Sequence, residues 1–99
     1  MSSQISSLKP TVTNEIIWRQ LDDNAVIVSP QTGEVRVLNE VGTLIWQMLT
    51  DRHSVADIVN HLANNYQVTP QQAQQDVALF LQELHERGLV QWPAVTVNE

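Results

Sequence analysis

The side chains able to do chemistry in this sequence are few and scattered. Its histidines are His53, His61 and His85. A metal site needs ligands that converge, most simply two histidines one helical turn apart on one face, and no pair here has that spacing. Cysteine is absent, which excludes disulfides, thiolate metal sites and a cysteine nucleophile. The serines fall in the N-terminal stretch, in a turn and at a helix start, with no histidine and carboxylate patterned to activate them. Asp22 and Asp23 are adjacent in a turn, while Asp57, Asp76, Glu83 and Glu86 lie along predicted helices. Capping and solvation account for carboxylates so placed better than acid–base catalysis does. The three glycines are isolated at turn and helix-end positions, so there is no loop to cradle a phosphate. Neither catalysis nor a metal or cofactor is expected, and the residue types describe a binding protein.

Charge narrows what can be bound. The net charge is −6, and the fixed positive charges are Lys9, Arg19, Arg36, Arg52 and Arg87, spread along the chain. Nucleic-acid binding rests on a basic face that displaces counterions, and this chain repels phosphate overall. With 99 residues there is room for one domain with a modest core, and too little for a deep substrate cavity. The first ten residues hold one lysine and no apolar run, so they read as neither signal nor transit peptide. No apolar stretch approaches the length of a membrane span, and the expected location is cytoplasmic with no membrane partner.

The elements that must position any site follow from periodicity and punctuation. Residues 1–13 are Ser/Thr-rich and read as a flexible arm. Glu15 to Leu21, Ala25 to Val28 and Glu34 to Leu38 read as three strands, separated by Asp22-Asp23-Asn24 and by Ser29-Pro30-Gln31-Thr32-Gly33. Short turns imply an antiparallel meander with the second strand central and the third at an edge. Three helices follow. Asn39 caps the first, whose apolar stripe is Val41, Leu44, Ile45, Met48 and Leu49. The second runs from Ser54 to about Tyr66, with Ser54 and Asp57 as a capping box. The third is capped by Thr69, with Pro70 at its first position, Gln72 placed to complete a box and the stripe Ala73, Val77, Phe80, Leu81, Leu84. It ends at Gly88, with Leu89 folding back on Leu84. Leu89 to Trp92 suggests a short last strand, and 93–99 is a tail. The fold class is therefore α+β and winged helix-turn-helix-like, an N-terminal three-stranded antiparallel sheet followed by three helices, with the domain spanning 14–92.

Leu38-Asn39, Gly42, Ile45-Trp46, Val55-Ala56-Asp57-Ile58, Leu62, Tyr66, Asp76-Val77, Phe80-Leu81, Leu84 and Gly88-Leu89 stand in a recognisable register. In it the chain resembles the PqqD-like family, the leader-recognition elements of ribosomally made, post-translationally modified peptide pathways, over about residues 15 to 91. It is more similar to the stand-alone proteins of lasso-peptide pathways than to the quinone-pathway protein. One departure is Thr50 to Ser54, where relatives often carry a glycine. The resemblance implies a non-catalytic peptide chaperone. It would bind the leader of a precursor peptide by strand addition and present it to a modifying enzyme such as a radical SAM enzyme, a leader peptidase or a cyclase. The competing classes are a winged helix-turn-helix DNA-binding regulator, with Thr69 to Arg87 as recognition helix, and a structural docking subunit of an enzyme complex. The first is disfavoured by Asp76, Glu83 and Glu86 against a single arginine.

Strand addition takes affinity from main-chain hydrogen bonds and specificity from pockets for alternate side chains. The resemblance places that edge on Glu34, Val35, Arg36, Val37 and Leu38, with Glu34 and Arg36 on one face and the valines on the other. Across from it the third helix would contribute Gln72, Asp76, Leu79, Phe80, Glu83 and Arg87. Leu79 extends the helix stripe sideways as the far wall of a groove or is an incidental exposed leucine. Asp76 would receive a leader hydroxyl or basic group or bond locally, and Arg36 and Arg87 would pair with an acidic leader or be plain surface charges. Trp18 and Trp46 are expected in or at the rim of the core, and Trp92 could cover the base of the domain or support a homodimer.

Overall fold

The computed structural model describes residues 8–13 and 15–92. The chain opens on a two-residue strand, β1 (Thr11–Val12), followed by a meander of β2 (Ile17–Leu21), β3 (Asn24–Ser29) and β4 (Glu34–Leu38) with β3 in the centre. Three helices come next, α1 (Glu40–Thr50), α2 (Val55–Asn65) and α3 (Pro70–Glu86), and then β5 (Val90–Gln91). The α+β class, the meander and the position of the third expected strand at an edge are as the sequence predicts.

The N-terminal arm differs. Residues 11–13 are not loose: Thr11 pairs with Gln91 and Val12 with Val90 in a second, two-stranded sheet. Before it, the Leu8 carbonyl accepts from the Val55 backbone N–H at 3.0 Å, and Pro10 is buried. The ordered domain therefore starts ahead of residue 14. Its polar composition misleads because the ordering comes from a partner about eighty residues away rather than from local pattern. Glu15 also falls outside the strand expected for it, in a turn at φ +69. Residues 1–7 and the tail 93–99 lie outside the described residues.

Each helix is bounded by the residues that the sequence marks. The Asn39 side chain accepts from the Gly42 N–H at 2.8 Å. Ser54 and Asp57 form a complete capping box, and the Ser54 backbone N–H, reinforced by the His53 imidazole, holds the Asp57 carboxyl below its usual value. At α3 the box is only half made. Thr69 accepts from the Gln72 N–H, but the Gln72 amide turns forward and donates to Asp76 at 2.9 Å. A carboxylate one turn on is the stronger acceptor.

Helix ends repeat one device. After α3, Gly88 takes φ +76, its N–H donates to the His85 carbonyl, and Leu89 donates back to Leu84 at 2.9 Å while burying its side chain completely. After α1 the same two bonds form, Arg52 to Leu49 and His53 to Met48, each 3.0 Å, with Arg52 at φ +67 in the slot that glycine fills after α3. The missing glycine thus leaves the turn unchanged and puts a Cβ where left-handed backbone costs about 1 kcal/mol.

One face of the sheet (Ala25, Ile27, Leu38) packs with Ile45, Trp46 and Leu49 of α1, with Val55, Ile58 and Leu62 of α2, and with Ala73, Val77, Leu81 and Leu84 of α3 to form the core. The buried face of α1 is turned from its expected stripe. Gly42, Thr43, Ile45, Trp46 and Leu49 are buried, Leu44 and Met48 only partly, and Val41 is exposed. This helix packs against β1, β3 and β4 together, so its burial follows its several partners rather than the densest apolar row. Trp46 is fully buried and meets Trp18, half-buried on β2, edge to face at 6.4 Å. Trp92 is half-buried against the core.

Candidate peptide-binding groove

Strand β4 pairs with β3 on one side only, and its other edge has no strand partner among the described residues. An unpaired row of N–H and C=O groups is a template for another chain. Alternation along the strand decides what flanks that edge. Glu34 and Arg36 are half-buried toward α3, Leu38 is buried, and Val35 and Val37 point away, both exposed.

Two ion pairs tie the edge to α3. Arg36 pairs with Glu83, and Arg87 donates to Glu34 at 2.7 Å while lying 3.8 Å from Glu83. Their order makes β4 and α3 run in opposite directions, side by side. All four side chains remain in contact with solvent, Arg36 least, so each pair is worth about 0–1 kcal/mol. The two arginines expected to await an acidic leader are therefore already engaged within the chain.

Beyond this network, at the Leu38 end, the groove opens into a pocket of about 280 Å³ lined by Arg36, Val37, Leu38, Asn39, Val41, Gly42, Ile45, Asp76 and Phe80. Its floor is close-packed. A Cβ on Gly42 would lie 3.3 Å from the Asn39 side-chain oxygen and 3.4 Å from both Leu38 Cβ and Phe80 Cε1. Asp76, held by Gln72, supplies the carboxylate, and Phe80 is half-buried. An apolar floor with one acid can seat an aliphatic or aromatic side chain and accept a hydrogen bond from its neighbour.

Of the residues expected here, Arg36, Leu38, Asp76 and Phe80 come together at the pocket, Val37 borders it although it alternates to the outer face, and Glu34, Glu83 and Arg87 form the adjoining bridge. Gln72 reaches the site only through Asp76. Val35 lies on the opposite face, and Leu79, 65% exposed, stands outside the pocket lining. Sequence reasoning missed Asn39, Val41, Gly42 and Ile45. The signal was present in the LNxxGxxI spacing, which puts Gly42 and Ile45 one turn apart directly after the edge strand.

Among the described residues no three His, Asp or Glu side chains gather as a metal site, and no helix is long and apolar enough to cross a membrane.

A search of curated protein sequences finds no match. Among solved structures, TbiB1 in complex with the TbiA(beta) leader peptide is similar at a TM-score of 0.81 and 26% identity, covering 86% of this chain and 99% of that one. A lasso peptide synthetase B1 complexed with its leader peptide is 33% identical, with a TM-score of 0.77 and coverage of 83% and 96%. The PqqD truncation of Methylobacterium extorquens PqqCD, a stand-alone recognition element for ribosomally synthesised and modified peptides, shares the fold at a TM-score of 0.69 and 17% identity, covering 89% and 93%. The profile of coenzyme PQQ synthesis protein D matches residues 24–90, and with that match and these relatives the chain belongs to the PqqD family.

Proposed function

We propose that this chain is a non-catalytic carrier that recognises the leader of a ribosomally made precursor peptide and hands it to a modifying enzyme. The observation that carries the reading is the open edge of β4 beside the pocket at Leu38, Gly42 and Phe80. Two relatives of the same fold are leader-bound, which supports it. The leader adds as a strand to Glu34–Leu38 and turns alternate side chains toward α3, where Asp76, Phe80, Glu83 and Arg87 meet them, with Gln72 steadying Asp76 and Leu79 as the outer wall. The partner enzyme is a leader peptidase or cyclase, given the lasso-pathway relative, rather than a radical SAM enzyme. Duplex DNA is not favoured. The outward side of α3 carries Asp76, Glu83 and Glu86, which repel phosphates.

A preformed edge and pocket, less the cost of ordering a flexible peptide, give binding on the order of −8 to −10 kcal/mol, micromolar to sub-micromolar. The test is a nuclear magnetic resonance titration with the leader of the precursor encoded beside this gene. Amide shifts are expected on 34–45 and 72–87. Shifts clustered on α2 would move the site and remove the argument from the edge.

A further inference from the structure

The longest stretch of this chain without a fixed charge is residues 58–75, where Asp, Glu, Lys and Arg are all missing. It covers most of α2, the connection and the start of α3, and most of its exposed residues are asparagine or glutamine. A soluble surface usually carries charge on about a quarter to a third of its residues. Between the two helices opens a groove of about 380 Å³, roomier than the leader pocket, lined by Ala56, Val59, Asn60, Pro70, Gln71 and Gln74. Two nearby amides are committed, Asn65 to the His61 carbonyl and Gln72 to Asp76. Those of Asn60, Gln71 and Gln74, all exposed, bond no other described side chain or backbone group.

A carboxamide donates two N–H bonds and accepts at its oxygen, the complement of a peptide main chain. Charge complementarity is what singles out a partner's side chains, and this groove has none to offer. Its position decides whose backbone it meets. Because β4 and α3 run in opposite directions, a strand on the β4 edge leaves the pocket at the Leu38 end, toward the first turn of α3. The surface there passes from Asp76 to Gln72, bonded to each other at 2.9 Å, and on to Gln71 in the groove. Rounding a helix about 10–12 Å across takes about four to six extended residues at about 3.3 Å each. Antiparallel pairing, the more stable kind, sets the N-terminal flank of the leader at this end. We propose that the α2–α3 groove is a second binding site on the carrier. It holds the leader's N-terminal flank through main-chain hydrogen bonds to Asn60, Gln71 and Gln74, whatever the flank's sequence. The inference rests on the leader-binding reading given above.

The test uses the full chain and three peptides with fluorescein at the C-terminus. They are the leader of the precursor encoded beside this gene, the same leader without its N-terminal flank, and one with the flank scrambled. The double variant Asn60→Ala, Gln74→Ala removes two free amides from exposed helix positions, and circular dichroism confirms that it is folded. By anisotropy, losing the flank is expected to weaken binding to wild type about tenfold. The double variant is expected to lose about as much with the whole leader and less than twofold with the shortened one. The scrambled flank is expected to bind wild type within twofold of the natural one. Equal affinity of wild type for whole and shortened leaders would overturn the proposal, and so would a double variant that binds the whole leader normally or loses equally with both. A scrambled flank as weak as a missing one would overturn main-chain recognition. A wild-type dimer in sedimentation, broken by the double variant, would assign the groove to a second copy and overturn the proposal. If wild type binds none of the peptides, the proposed function itself falls, which is a different result.

Discussion

Replacing Gly42 by alanine separates pocket occupancy from stability, because the two effects work on different atoms. Gly42 sits in the first turn of α1, with its N–H already engaged by Asn39. Alanine gains up to about 1 kcal/mol of helix propensity over glycine, less so near a helix end. Against this stands the new Cβ, 3.3 Å from the Asn39 oxygen and in ordinary contact with Leu38 and Phe80. Asn39 must give by a few tenths of an ångström, and the two effects nearly cancel. The melting temperature is expected to move by less than about 5 °C, since 1 kcal/mol corresponds to about 4–8 °C in a domain of this size. Binding has no such compensation. A methyl on the floor of a 280 Å³ pocket displaces one methylene-sized piece of ligand, about 0.8 kcal/mol, and overpacking raises the cost to about 1–3 kcal/mol. Leader affinity should fall about 5- to 150-fold, measured by anisotropy or calorimetry beside a thermal melt. A folded Gly42→Ala protein that binds leader as tightly as wild type would show that no leader side chain reaches this floor.

Leu79→Glu should leave the melting temperature almost unchanged, because the side chain is exposed, and should weaken the leader several-fold; unchanged affinity would reduce Leu79 to an incidental surface leucine. Arg52→Gly relieves left-handed strain at φ +67 but frees the unfolded chain, so a net gain of about 0.5 kcal/mol is expected in urea melts, and a loss would mean that the arginine side chain contributes more than its backbone costs. Asp57 has a folded-state pKa below its ordinary 3.8, so its stabilising contribution is present above that value and lost as the pH falls through the lower, folded one. Asp57→Asn should therefore lower the melting temperature at neutral pH and flatten its fall below about pH 4, and parallel pH profiles for the two proteins would show that the capping carboxylate is not coupled to folding.

The elements most legible in the sequence were those set by local chemistry. Thr69, Pro70 and Gly88 bound α3 because capping oxygen, fixed φ and left-handed backbone are properties of those residues wherever they stand. Strand β4 was legible from its alternation, and so were the opposite faces taken by Glu34 and Val35. What escaped was set by distant partners. Thr11 and Val12 are a strand because of Val90 and Gln91. The buried row of α1 depends on three strands at once, and Arg52 occupies a glycine's slot because the surrounding hydrogen bonds demand it. The candidate groove divided along the same line. Its strand and helix walls followed from pattern and resemblance, while its floor at Gly42 needed the approach of Phe80 from across the fold.

The pairing of β1 with β5 has a consequence for how such a domain can be used. It brings the two ends of the folded unit alongside each other, with paired Cα atoms about 5 Å apart. A unit whose entry and exit are neighbours can be spliced into a loop of a larger polypeptide without prising that host apart, or rejoined end to end and reopened elsewhere. The open edge of β4 belongs to the other sheet, so joining a host at β1 and β5 adds no strand to it. The same fold can therefore stand as a separate protein or as an inserted module, and the choice requires no redesign of the open β4 edge.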